Sequence, residues 1–241
     1  MWYEITLGLS PKYTYLTLLF LSISGPLLLS FDKKVAFYKT WYKLSIPLLI
    51  ASTFYVIWDV VFTYYGIWKF NPNYLMGHYL FQLPIEEYGF FIVVPYASAF
   101  IYACIGSYFP KINSIDYPTI SKLISIILIA ISLSSIIYKP NHLYTLTTFG
   151  FLIIGILYTE LKNKEYALRL YVSWAICLIP MSYVNGILTG KPVLIYNNSE
   201  NLGIRIGTIP FEDFFYHLVY MVILITLLER KSSKGMIKAA N

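Results

Sequence analysis

The sequence predicts an all-α integral membrane protein of about seven transmembrane helices, built as two parallel three-helix repeats joined by a linking helix. Three observations predict it. The 241 residues are 58% hydrophobic and only 12% charged, with a mean hydropathy of +0.62, whereas a soluble domain is about a quarter charged. Several windows free of Lys and Arg are long enough to cross a bilayer. Finally, the chain matches itself after a shift of 126 residues, the spacing of Glu86 and Glu212.

Taken in order, the apolar runs place spans at 13–31, 45–65, 79–107, 121–138, 142–159, 168–188 and 209–229. The third run carries Pro84 and Pro95, so its first residues are expected in the interface rather than in the span. The loops are short and leave no room for a sizeable soluble domain. No cleaved leader is expected, because the basic cluster follows the first apolar run instead of preceding it. Five Lys and Arg fall on the side of the N-terminus and thirteen on the other. The positive-inside rule then puts the N-terminus outside and the C-terminus in the cytoplasm. The net charge of +6 is accounted for by these flanks, and nucleic acid is not expected as a partner. Cys104 and Cys177 lie in apolar stretches without metal-ligand spacing and read as packing residues.

In the shifted comparison Thr63 meets Thr189, Asn71 meets Asn197, Gly77 meets Gly203, Pro84 meets Pro210 and Glu86 meets Glu212. The near-matches include Asp59 with Asn185, Phe70 with Tyr196, Glu87 with Asp213, Tyr88 with Phe214 and Phe90 with Tyr216. Three spans are an odd number, so two such units joined directly would be inverted. The fourth span restores a parallel orientation, and both motifs then face the same side. The expected division is a first repeat over 1–110, a linking helix over 111–141, and a second repeat over 142–241 that ends in a basic tail. Parallel repeats are a known membrane architecture with a site between the halves.

The chemistry sits in "PIEE" (Pro84 to Glu87) and "PFED" (Pro210 to Asp213). Each alone reads as a helix start, with Pro at the first helical position and acids in the first turn meeting the helix dipole. The repetition, and Asp59 deep in the second span where it caps nothing, argue for more. An ionised side chain within the bilayer costs at least ~2.5 kcal/mol, and intramembrane acids mark functional sites. Glu86, Glu87, Glu212, Asp213 and Asp59 are therefore the candidate catalytic residues. A carboxylic acid between apolar walls can donate its proton, and a second acid can accept one or balance a cation.

Aromatic residues make up 19% of the chain, and an interfacial belt explains most of them. Those beside the acids, Trp58, Tyr88, Phe90, Phe214 and Tyr216, are candidate substrate-binding residues, because ring faces attract cations most strongly where water is absent. Asn185, facing Asp59 across the repeat, and Arg205, just before the second motif, join them. Acid, aromatic walls and access from lipid together suit protonation of an alkene. His78 and His217 are isolated, and no metal site is expected. "GIRIG" (Gly203 to Gly207) lacks the glycine spacing and the preceding strand of a dinucleotide site, so no cofactor is expected.

At these residues the sequence resembles the integral-membrane lycopene cyclases of bacteria and fungi, in their fused two-unit form. The stretches "WDVVFTYYGIWKFNPNYLMGHYLFQLPIEEYGFF" (Trp58 to Phe91) and "NGILTGKPVLIYNNSENLGIRIGTIPFEDFFYH" (Asn185 to His217) carry the likeness. The resemblance implies an isomerase, an intramolecular lyase of carotenoid biosynthesis. It would close the linear ends of lycopene or a related carotene into β-rings without net redox change and without a cofactor. It also implies Glu86 and Glu212 as leading acids with Glu87 and Asp213 as their partners; Asp59 comes from the residues alone. A lipophilic polyene, membrane lipid and other carotenoid enzymes are the implied partners, and a bacterial inner membrane the implied location. The two motifs differ, so the halves are not equivalent.

The rival reading is a proton-coupled transporter of a small or lipophilic substrate, since repeats and intramembrane acids occur there too. It needs a polar path across the bilayer, and the cytoplasmic half of the spans is apolar. A retinal photoreceptor needs a Lys in the last span, and 209–229 has none. The charge count makes a prediction: reporter tags fused to the two termini will report opposite sides, N-terminus out and C-terminus in, and equal protease access from one side would overturn the span count.

Overall fold

The computed structural model describes residues 10–113, 118–162 and 164–239; the side chains of the basic tail from residue 231 onward lie outside the described ones. Seven helices among these residues are long and apolar enough to cross a membrane. They are α1 (Thr14–Leu29), α2 (Trp41–Tyr64), α3 (Ile85–Tyr108), α4 (Pro118–Tyr138), α5 (Leu143–Lys162), α6 (Ala167–Gly190) and α7 (Phe211–Ala239). The apolar residues of α1, α2, α3 and α6 run all round the helix rather than along one stripe, as suits helices clad in lipid and in one another.

The spans agree with the sequence expectation, with one instructive difference at the third. Residues 79–84 do not extend α3. They fold as a hairpin of β2 (Tyr79–Leu80) and β3 (Leu83–Pro84), after β1 (Trp68–Phe70). The hairpin turns on Phe81 and Gln82, both at positive φ (49° and 67°), which a two-residue turn of this hand requires. Pro84, with φ −65° and ψ 149°, is the residue that caps α3 rather than its first helical one. Its fixed φ suits the extended strand end, and its missing N–H costs the helix nothing.

The second half repeats this arrangement. β4 (Leu194–Tyr196), β5 (Arg205–Ile206) and β6 (Ile209–Pro210) recur at the same 126-residue shift as β1, β2 and β3, as do α6 and α7 from α2 and α3. Here the hairpin turns on Gly207 alone at positive φ (64°), the glycine-first variant of the same turn. The outer helices are offset by 129 residues, the spacing of Tyr15 in α1 and Tyr144 in α5.

The halves meet on a pseudo-two-fold axis. β1 and β4 pair antiparallel with Lys69 opposite its own equivalent, Ile195. The flanking bonds are reciprocal: Asn71 N–H donates to Val193 O and Asn197 N–H to Ile67 O, both at 2.8 Å. Among the described residues neither strand has another partner, so each half supplies the other's strand bonding, which apolar surroundings make obligatory. α7 is the most enclosed helix, with 72% of its span buried against 17% for α1. It packs against α2, α3, α5 and α6, while α4 packs on α5 and α6.

L-residues pay about 1–2 kcal/mol in the left-handed region. Gln82→Gly is therefore expected to stabilise the protein by about 1 kcal/mol, read as a higher thermal unfolding midpoint in detergent; a lower midpoint would mean that the Gln82 side chain, not its backbone, sets the turn.

Candidate functional site

Each half delivers two adjacent acids at the first turn of a helix, and the helix geometry sends them different ways. Successive side chains diverge by about 100°, so one acid of each pair turns back to the preceding loop and the other turns inward. Glu86 Oε1 accepts the Met76 N–H at 2.7 Å. Its equivalent, Glu212 Oε1, accepts the Leu202 N–H and the Thr145 hydroxyl, both at 2.6 Å. Met76 and Leu202 each precede a glycine at positive φ, Gly77 (89°) and Gly203 (74°). That turn lets the loop bend back over the acid, and a side chain with Cβ would strain it. Glu86 and Glu212 thus fasten their loops to the starts of α3 and α7.

The inward acids, Glu87 and Asp213, reach a common place. With Asp59 from α2 they line one small cavity of about 40 Å³ at the pseudo-two-fold axis. Asp59 is 1% exposed, Glu87 5% and Asp213 2%. Tyr15 donates to Glu87 Oε2 at 2.5 Å, and its equivalent Tyr144 donates to Asp213 Oδ1 at 2.7 Å. Asp213 Oδ2 accepts from Tyr196 OH at 2.8 Å and from Asn185 Nδ2 at 3.2 Å. Burial and the neighbouring Asp213 push the Tyr196 phenol, which lies outside the spans, well above its ordinary value, so it remains a donor. Asp213 therefore receives three hydrogen bonds, the pattern of an acceptor-only carboxylate.

The other half of the chamber is not equivalent: Asp59, Phe70 and Phe90 stand where the second half has Asn185, Tyr196 and Tyr216. Where Asn185 faces Asp213, Asp59 faces Glu87, and these two carboxyl groups lie in hydrogen-bonding proximity. Two carboxyls can bond only if one of them carries a proton. Trp68 Nε1 donates to Asp59 Oδ1, and the buried Tyr216 hydroxyl has no partner among the described residues. Phe70, Phe90, Phe91 and Tyr216 complete an aromatic wall. The arrangement holds a shareable proton on one side, an acceptor on the other, and ring faces between.

The remaining sequence candidates are placed as follows. Phe90, Asn185 and Tyr216 line the chamber. Trp58 sits behind it, its ring 4.9 Å from that of Tyr216. The Tyr88 hydroxyl donates to Leu80 O at 2.8 Å and braces the first hairpin. Phe214 is buried in the core, its carbonyl accepting from Trp174 Nε1. Arg205 donates to Thr208 O at 2.6 Å and Asn198 Oδ1 at 2.7 Å, within the second hairpin and its loop. His217 meets Ser98 at 2.9 Å. Among the described residues no three His, Cys, Asp or Glu gather as a metal-ligand group.

Tyr15, Tyr144 and Tyr196 were not singled out from the sequence. The signal for Tyr196 was its pairing with Phe70. For Tyr15 and Tyr144 it was a second shift, of 129 residues, that a gapless comparison at 126 passes over.

The chain matches the model of the family described as "Lycopene cyclase" over residues 12–105 and 141–230, which leaves out α4. It is 25% identical over 144 residues to a bifunctional lycopene cyclase/phytoene synthase of Arthroderma gypseum, an alignment covering 59% of this chain and 23% of the relative. To a protein of the same description from Aspergillus oryzae it is 32% identical over 62 residues, covering 26% of this chain and 11% of the relative. The chain thus spans less than a quarter of these relatives' length. No solved structure gives a significant match.

Leaving a buried donor unpaired costs about 1–3 kcal/mol. Glu212→Ala strands two donors and Glu86→Ala one, so Glu212→Ala is expected to lower the detergent unfolding midpoint about twice as far. The reverse ranking would mean that loop fastening is not what Glu212 does.

Proposed function

The chain belongs to the lycopene cyclase family, and on that premise we propose that it closes the linear ends of lycopene into rings by acid-initiated, redox-neutral catalysis. The observation that carries this reading is the convergence of Asp59, Glu87 and Asp213 on one aromatic-walled chamber at the axis. A proton passes from the Asp59–Glu87 pair to the terminal double bond of the carotene, giving a tertiary cation. The neighbouring double bond attacks that cation and closes a six-membered ring, moving the positive charge onto the ring. Asp213, held by Tyr144, Tyr196 and Asn185, balances the charge and takes up a proton from the ring. One proton is given and one taken up, so the product has the substrate's mass and no redox cofactor enters the balance; the proton then on Asp213 passes back to the Asp59–Glu87 pair before the next turnover.

In this reading the enzyme is an intramolecular lyase, an isomerase, and the ring is of the β type. The faces of Phe91 and Tyr216 stabilise the cation in the absence of water, and burial makes each fixed charge count for more than it would in water. Glu86 and Glu212 act one step away by holding the loops that seat the inward acids. The termini lie N-out and C-in, which places the chamber toward the non-cytoplasmic face.

General acid–base groups contribute about 10²–10⁴ in rate. Expressed in a lycopene-accumulating bacterium, the protein is expected to yield a product of lycopene's mass with cyclic ends. Glu87→Gln and Asp213→Asn should each lower its formation at least about 100-fold at matched membrane levels. Normal cyclisation by both variants would remove these acids from the mechanism, and unchanged lycopene with the unaltered protein in the membrane would remove the reaction itself.

A further inference from the structure

Beside the acid chamber lies a second, much larger space. It is an apolar cleft of about 560 Å³ between α1, α3, α6 and α7, a size typical of sites that enclose extended small molecules. Leu21, Ile179 and Tyr183 on its walls are exposed, so it opens sideways into the lipid. Phe90 and Asn185 line the cleft and the chamber alike. A hydrophobic chain lying in the cleft therefore abuts the chamber at its inner end.

The pseudo-two-fold axis demands a second cleft between α5, α7, α2 and α3. The equivalents of the open cleft's Ser22, Val94, Pro180 and Val184 are Phe151, Tyr220, Phe54 and Trp58. Small or aliphatic side chains on one side are thus aromatic on the other, and the aromatics fill the space. Phe151 packs against Phe54 and Trp58 at ring separations of 5.4 and 5.0 Å. Tyr55 and Tyr220 approach to 4.3 Å behind them, and Tyr55 OH donates to Tyr216 O at 2.8 Å.

We propose that the open cleft is the slot for a linear polyene and that aromatic side chains close its symmetry mate, so the enzyme cyclises one end of its substrate per binding event. This rests on the cyclase reading above and adds to it where the polyene lies and how many ends react at once. In this arrangement the polyene reaches the acids from the open cleft, and the half of it outside the chamber stays in the slot or the bilayer. A second ring requires the monocyclic product to withdraw and re-enter by its other end. The monocyclic carotene is then a free intermediate that competes with fresh lycopene for the same slot.

Two measurements test this in membranes carrying the full chain. Ser22→Phe and Val94→Tyr each copy the residue of the closed side into the open one. Each is expected to slow lycopene loss by about tenfold or more at matched membrane level and unchanged detergent unfolding midpoint, whereas Phe151→Leu on the closed side leaves the rate unchanged. The second measurement needs no variant: in a time course with the unaltered protein, monocyclic carotene appears before dicyclic, and their ratio rises with lycopene content. Undiminished turnover by both filled variants, or dicyclic product from the first turnovers without free monocyclic carotene, would overturn the slot while leaving the cyclase reading intact. No ring product at all from the unaltered protein would overturn both.

Discussion

A carboxyl group buried among apolar helices has to find its hydrogen-bond partners inside the protein, and the rest of this structure is arranged around that requirement. Four acids at two helix starts find partners in two ways, with one oxygen each of Glu86 and Glu212 left buried and unpartnered among the described residues. Glu86 and Glu212 are met by backbone N–H groups of loops that bend back over them. Glu87 and Asp213 are met by tyrosines from α1 and α5. The first solution fixes the loops, the loops present β1 and β4 to each other, and that strand pair fixes the distance between the halves. The second draws α1 onto α3 and α5 onto α7. The polar bonds that make burial of the acids tolerable are thus also the bonds that assemble the bundle, with apolar packing filling in around them.

The halves share a backbone plan but not a chemistry. At the one position where charge matters most, Asp59 on one side is answered by Asn185 on the other. An amide donates to a carboxylate and cannot take its place as an acid, whereas a second carboxyl must share a proton. With Tyr196 standing where the first half has Phe70, and donating to Asp213, the chamber presents two unlike ends. The same divergence appears in the lipid-facing walls, where aliphatic residues on one side are aromatic on the other. Symmetry supplies the scaffold, and several departures from it fall beside the chamber.

Most of the fold was legible in the sequence because it is dictated by long-range composition. Apolar run length gave seven spans, and the gapless shift from Glu86 to Glu212 carried the repeat through loops whose lengths the strand pairing holds constant. The hairpin at 79–84 was not legible as such. Its turn uses Phe81 and Gln82, where the usual signal is Asn-Gly or a glycine. The acids were legible as candidates, but not which of each adjacent pair points inward, since that depends on the helix phase relative to the loop. Nor could the sequence tell that Tyr88 and Arg205 brace hairpins, because proximity along the chain does not distinguish a side chain facing a site from one facing its own turn. Tyr15 lies 72 residues from Glu87, and no local pattern announces such a pairing.

The β1–β4 pair also sets a timetable for the protein's making. β1 leaves the ribosome before the strand it pairs with, which lies 126 residues downstream. At ordinary rates of synthesis that interval lasts about 6–25 s. Throughout it Trp68, whose indole donates to Asp59, lacks the strand pairing that holds its backbone in the finished protein. The acid chamber therefore cannot exist while the first half stands alone. The newborn membrane holds only part of the chamber's wall until α7, which carries Asp213 and Tyr216, has threaded into place.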